Sequence, residues 1–218
     1  MYIGHWAAAF AAGAASPKAP KLGTLFVAAQ LVDWGFFTFA AIGVEAMRVE
    51  PGATVMNPMD LYHMPYTHSL IGCGIWALAF AAIILATQRN ITGAWIAGLV
   101  VLSHWFTDLL VHRPDLTFAG RDAKVGLGLW NYPYVAIPLE LGLTIGAFAW
   151  YVRQTRGPLM PPMILMGILL VMQAINWFGP EPEQAGLALY LTALVSYAVA
   201  TFFAYWVGTT RRHKRLRG

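Results

Sequence analysis

In the stretch Ser103-His104-Trp105-Phe106-Thr107-Asp108-Leu109-Leu110-Val111-His112, ligand-type side chains recur at i, i+4 and i+8. Each step of four residues turns a helix by only about 40°, so His104, Asp108 and His112 share one face. A His/Asp pair one turn apart can hold a metal ion. The second oxygen of Asp108 can reach a neighbouring ion, and two ions roughly 3.5–4 Å apart are the usual arrangement for hydrolysing phosphoesters. Imidazole with carboxylate favours zinc, with manganese or iron as alternatives. Asp33 and Glu140 also stand inside apolar runs, and His5, His63 and His68 stand at or near run ends. An ionisable group within an apolar run is a functional candidate by default. Asp115, in the loop beyond His112, is expected to be a bystander.

These residues need elements to carry them, and composition sets the class of element. The chain is 58% hydrophobic and 11% charged over 218 residues. That is more apolar matter than a soluble domain of this length can cover. It comes in long runs rather than amphipathic stripes, which excludes a water-soluble fold. Five runs are long enough to cross a bilayer: Leu22 to Val44, Ser69 to Thr87, Thr92 to Val111, Tyr134 to Val152 and Gly186 to Gly208. A sixth, Met163 to Phe178, reaches that length when the Pro158-Leu159-Met160-Pro161-Pro162 segment caps its start, since proline is tolerated in a first turn.

The Ala/Gly-rich segment Tyr2 to Ala15 reads as a short tilted span or a helix leaning into the bundle. No basic residue precedes it, so a cleaved signal peptide is not expected. The expected fold is an all-α polytopic membrane bundle of about seven segments, six full spans plus the short N-terminal one. Residues 1–218 form a single integral membrane domain, with 209–218 as a basic cytoplasmic tail. The lone Cys73 excludes an intramolecular disulfide framework and a multi-Cys zinc site, and it reads as a small packing residue.

Charge orients the bundle. If the tail around Arg211, Arg212, Lys214, Arg215 and Arg217 is cytoplasmic, alternating the spans backwards puts Arg153, Arg156, Arg89, Lys18 and Lys21 on that same side without an acid. The opposite side receives Glu45, Glu50, Asp60, Asp115, Asp122, Glu181 and Glu183, with only Arg48, Arg113, Arg121 and Lys124. The positive-inside bias alone accounts for the tail, so no nucleic-acid partner is expected. The expected location is the bacterial inner membrane.

This orientation places His5, His68, His104, Asp108, His112 and Glu140 in one outer layer. A single interior imidazole is commonly just hydrogen-bonded, but five to seven ligand-type groups in one layer are hard to explain that way. Glu140 or His63 can serve as the acid/base group. Arg113 can meet an anionic headgroup, and its structural alternative is a surface charge or one paired with Asp115. The aromatic stretch Trp130-Asn131-Tyr132-Pro133-Tyr134 reads as an interfacial belt. Trp105 and Phe106 read as helix-packing residues.

Gly4-His5-Trp6, an acid in the next span at Asp33, Tyr66-Thr67-His68-Ser69-Leu70 and Ser103-His104-Trp105-Phe106-Thr107-Asp108 together resemble the YdjM-type family of membrane-bound metal-dependent hydrolases. That family is similar in turn to the zinc-dependent phospholipase C and single-strand nuclease superfamily. The resemblance covers Met1 to Leu116. It implies that His5, Asp33, His68, His104 and Asp108 are metal ligands, and that His63 is a ligand or an acid/base residue. His112 and Glu140 join the set on depth alone.

The function expected on this basis is metal-dependent hydrolysis of phosphoesters, a lipid headgroup or similar, with Asp108 as the central residue. Membrane lipids, a phosphoester substrate and further membrane subunits are the expected partners. Two other classes use the same residues: a non-catalytic subunit of a larger membrane complex, and an ion- or proton-translocating protein. A proton path needs ionisable groups reaching both faces, and the cytoplasmic halves of the spans contribute almost none.

Overall fold

A computed structural model describes residues 1–121 and 123–214. Asp122, Arg215 and Arg217 of the charge assignment lie outside the described residues. Among the described residues seven α-helices run α1 His5–Ala15, α2 Leu22–Ala41, α3 Leu70–Gln88, α4 Ile91–Val111, α5 Pro133–Gln154, α6 Met160–Phe178 and α7 Leu187–Thr210. Helices α2 to α7 are each long and apolar enough to cross a membrane. The chain is a multi-pass all-α membrane protein.

Local chemistry sets the helix ends. Ser69 and Asn90 cap α3 and α4 by accepting hydrogen bonds from Gly72 N and Gly93 N, each at 3.0 Å. Arg89 takes the left-handed conformation that stops α3. Pro161 and Pro162 lie in the first turn of α6, as expected. Apolar side chains such as Ile75, Leu78, Leu99, Val171, Phe202 and Tyr205 face outward, where lipid is their solvent.

The short α1 has 11 residues, roughly 16 Å, too few to span a bilayer. It leans into the bundle against α5, α2 and α4. There it buries Trp6 and Phe10 against Phe26, Phe148 and Tyr151. A helix start inside a bundle has no water for its free amides. Two side chains supply acceptors instead: Glu140 takes Tyr2 N and Gly4 N at 2.6 and 3.0 Å, and Gln173 takes Ile3 N at 3.1 Å. At the other end, α2 crosses α7 so closely that a Cβ on Gly23 would sit 2.8 Å from the Tyr205 Cα.

The connections gather on two faces. On one, β1 (Ala46–Val49) and β2 (Met59–His63) form an antiparallel hairpin inside the long loop after α2, an element that the runs of apolar residues do not announce. Met56 N donates to Trp130 O and Leu70 N donates to Thr117 O, tying the hairpin and the start of α3 to the α4–α5 connection. On the opposite face, β3 (Thr155–Arg156) pairs with β4 (Arg212–His213). Arg211 there donates to Thr155 Oγ1 and to the carbonyls of Val152, Thr155, Gly157 and Pro158. Asn90 Nδ2 donates to Lys18 O, which joins the α3–α4 turn to the same face.

Candidate metal centre

Six ligand-type side chains from four parts of the chain meet just below the hairpin face. Asp108 and His104 stand three and seven residues from the end of α4, roughly 5 and 10 Å deep, and Asp33 stands roughly 12 Å below the end of α2. His5 comes from the first turn of α1, His68 from just before α3, and His112 from the residue that closes α4. His104 and Asp108 are each only 1% exposed.

Asp108 is the centre of the group. Its Oδ1 faces His5 Nε2 at 3.1 Å and His112 Nε2 at 3.5 Å. Its Oδ2 faces His104 Nε2 at 3.1 Å and His68 Nε2 at 3.6 Å. Asp33 Oδ1 approaches His68 Nε2 at 3.2 Å and His104 Nε2 at 3.5 Å. The Met1 amine donates to Asp108 Oδ1 at 2.5 Å.

Every imidazole presents Nε2 inward because its Nδ1 is held from outside. His104 Nδ1 donates to Ala29 O at 2.9 Å and His112 Nδ1 donates to Asp115 Oδ1 at 2.8 Å. Thr67 spends its one hydroxyl proton on Glu45 Oε2 at 2.6 Å, so its oxygen accepts from His68 Nδ1 at 2.9 Å. Thr107 directs its proton to a backbone carbonyl of its own helix, which leaves its oxygen to accept from His5 Nδ1 at 2.8 Å. These partners assign the proton to Nδ1 in all four rings, so four Nε2 lone pairs converge on two carboxylates.

Lone pairs and carboxylate oxygens are all acceptors, and His5 Nε2 and His104 Nε2 are buried without a hydrogen-bond partner. Such a set fits a cation. Two atoms each bonded to one zinc at about 2.0–2.2 Å, at tetrahedral angles, stand roughly 3.3–3.6 Å apart, and the measured 3.1–3.6 Å separations sit in and just below that range. An outer carboxylate, carbonyl or hydroxyl on the second ring nitrogen is also the usual companion of a metal-bound histidine. Two triads have ligand atoms within 4.8 Å of one another: His5, His104 and Asp108, and Asp33, His68 and His104.

The chain matches no family model, no curated protein and no solved structure.

The outer partners are what the sequence does not announce. Glu45 is buried although it lies in a loop, accepting from Tyr66 N and Thr67 N at 2.8 and 3.0 Å as well as from Thr67 Oγ1. Its partners stand 21 and 22 residues away, and no local pattern links them. Asp115 is no bystander, and its i+3 spacing from His112 is the one sequence signal that pointed to it. Gln30 Nε2 holds Asp33 Oδ2 at 2.7 Å, with the Tyr197 hydroxyl at 3.4 Å, so Oδ1 is the oxygen turned to the imidazoles.

The remaining sequence candidates fall elsewhere. Glu140 lines the same cavity as the cluster, but its Oε1 clamps the start of α1. His63 is exposed at the end of β2, opposite Ala46, and does not line the cavity. Arg113 pairs with Asp60 and Glu50 of the hairpin, and Asp60 is also held by Arg48 Nε at 2.6 Å. Its partner is thus Asp60, while Asp115 serves His112. Cys73 is buried in the core against Val101 O, as a packing residue. Trp105 is buried and Phe106 is half exposed toward the surroundings of the bundle.

A cavity of about 430 Å³ opens onto the cluster. Asp33, His68, Asp108 and His112 form its polar end, with the Trp130 ring tilted by 34° against the His112 ring at 4.4 Å. Phe36, Phe37, Leu61, Met172 and Leu189 make its walls apolar.

Proposed function

We propose that this protein is a membrane-embedded, metal-dependent phosphoester hydrolase of the bacterial inner membrane, with its site near the outer face and its C-terminus in the cytoplasm. The observation that carries the reading is the inward convergence of four imidazole Nε2 atoms on Asp33 and Asp108, with every Nδ1 held from outside. His5, His104 and Asp108 form one ligand set and Asp33, His68 and His104 a second, with His104 common to both and Asp108 facing all four imidazoles. These residues would hold a divalent cation, zinc by the donor types, which would supply an activated water and neutralise charge developing at phosphorus.

The chain's own residues do the rest. Two carboxylates offset the charge of the cation in a low-dielectric setting, and burial keeps bulk water from the ligands. Glu140 holds α1 and so positions His5. Likeness to the YdjM-type hydrolases supports the same assignment.

The hairpin face carries the acids, while Lys18, Lys21, Arg89, Arg153, Arg156 and Arg211 all fall on the opposite face, which supports a cytoplasmic C-terminus. Apart from Arg153 at the end of α5, the halves of the spans near that face hold no Asp, Glu, Lys, Arg or His, which counts against a proton path from the cluster.

The test is elemental analysis of the detergent-purified protein together with hydrolysis of bis(p-nitrophenyl) phosphate before and after chelation. Bound transition metal and chelator-sensitive turnover restored by Zn²⁺ are expected. A folded protein that takes up no transition metal refutes the reading, and so does turnover indifferent to chelation. A reporter fused after Gly218 that is active only outside the cytoplasm refutes the orientation.

A further inference from the structure

The wall between α6 and α7 carries an apolar groove on the lipid-facing surface that adjoins the cavity at the His/Asp cluster. Its sides are Ile164 and Val171 on α6 and Leu191, Val195 and Val199 on α7, all exposed. Gly167 leaves it open, since a Cβ there would meet nothing within 4 Å. On each helix the lining runs over nine residues, Ile164 to Met172 and Leu191 to Val199, which is roughly 12 Å of depth. Met172, Thr192 and Ser196 line both this groove and the cavity that opens onto Asp33, His68, Asp108 and His112. Groove and cavity therefore meet along one seam.

This arrangement has one polar end and one apolar end. The polar end is the cluster of carboxylates and imidazoles, roughly 5–12 Å below the hairpin face. The apolar end opens sideways between two spans, at a depth where only hydrocarbon lies beside the protein. A water-soluble phosphoester gains nothing from such a groove. An amphiphile with a phosphate head and an acyl tail matches both ends.

We propose that the α6/α7 groove holds an acyl chain of a glycerophospholipid whose phosphoester lies at the metal cluster, so that substrate enters sideways from the bilayer. The substrate part of this inference rests on the hydrolase reading; the binding part does not. Membrane lipid is the occupant because the groove faces the bilayer and continues into the cavity.

The test uses the full chain in phosphatidylglycerol/phosphatidylcholine nanodiscs doped with phosphatidylglycerol that carries a diazirine in one acyl chain. After irradiation, labelled positions are mapped by mass spectrometry. Labelling of the Ile164–Met172 and Leu191–Val199 segments is expected to exceed that of the equally exposed Ile75–Leu78 face of α3 by several-fold. Gly167→Leu puts a side chain into the open part of the groove, where a Cβ meets nothing within 4 Å, and is expected to reduce the groove labelling at least fivefold. The same variant should slow Zn²⁺-dependent turnover of long-chain phosphatidylglycerol at least tenfold and leave bis(p-nitrophenyl) phosphate turnover within twofold of wild type. Val195→Phe narrows the groove from the α7 side and serves if Gly167→Leu gives too little folded protein.

Equal labelling of the groove and the α3 face overturns the inference, and so does a loss of both turnovers by the same factor in either variant. Turnover of the soluble diester alone, with no groove labelling, also overturns it while the hydrolase reading stands. Selective groove labelling that Gly167→Leu abolishes, with turnover of neither substrate, upholds the acyl site and removes the hydrolase reading.

Discussion

Replacing Asp108 with Asn tests the centre of the cluster most directly, because the side chain keeps its shape and loses its charge. Both carboxylate oxygens are engaged, Oδ1 with His5 and His112 and Oδ2 with His68 and His104, at 3.1–3.6 Å. The amide of Asn can present only one acceptor; its NH₂ then faces one imidazole pair as a donor and hydrogen-bonds the lone pair that a cation needs. At an effective dielectric of about 20, two unit charges about 4 Å apart attract by about 4 kcal/mol, and a divalent ion at shorter range loses more than that. Four kcal/mol corresponds to roughly a thousandfold in affinity. The assay is competition for Zn²⁺ against a chelator of known affinity, on detergent-purified wild type, Asp108→Asn and the exposed-loop control Glu183→Gln. Gel filtration and helical circular dichroism confirm folding. Wild type and control are expected to agree, with Asp108→Asn weaker by at least roughly a thousandfold at one ion or more. If folded Asp108→Asn competes within tenfold of wild type, the carboxylate is not at the centre of a metal site and the charge argument is refuted.

Asp115→Asn takes the charge from the acceptor on His112 Nδ1 and is expected to weaken Zn²⁺ binding roughly 10–100-fold with stability preserved; an unchanged dissociation constant would show that the charge of this outer contact is idle. Glu140→Ala orphans the amides of Tyr2 and Gly4 inside the bundle, so unfolding in denaturant should come roughly 2–5 kcal/mol sooner and metal affinity should fall as His5 loosens. Unaltered stability in Glu140→Ala would remove its positioning role. Arg211→Ala frees four carbonyls and the Thr155 hydroxyl at the opposite face. It should cost roughly 2–4 kcal/mol of stability while metal content stays at the wild-type level; a loss of metal with stability intact would contradict the purely structural role.

Much of the architecture was legible in the sequence because a bilayer admits so few solutions. A spanning segment must satisfy its own amides and show apolar side chains to lipid, so runs such as Leu70–Gln88 and Leu187–Thr210 declare themselves within a few residues of their ends. The same constraint exposed the site, since Asp33, His104 and Asp108 stand where lipid tolerates no idle charge. The i, i+4, i+8 spacing put His104, Asp108 and His112 on one face through helix geometry alone.

Tertiary structure decided what spacing cannot reach. Which acids serve the site depends on partners far apart in the chain. Glu45 works through Thr67 on His68, Asp115 holds His112, and Glu140, which depth alone placed with the catalytic groups, instead clamps α1. The hairpin Ala46–His63 hid inside a loop because two strands of four and five residues carry no apolar run. His63, five residues before His68, ended on that hairpin, exposed and away from the cavity. Side-chain type and depth follow from local sequence. The direction in which Nε2 or Oδ1 points follows from whatever packs against the other side of the ring or carboxylate, and only the folded bundle brings those groups together.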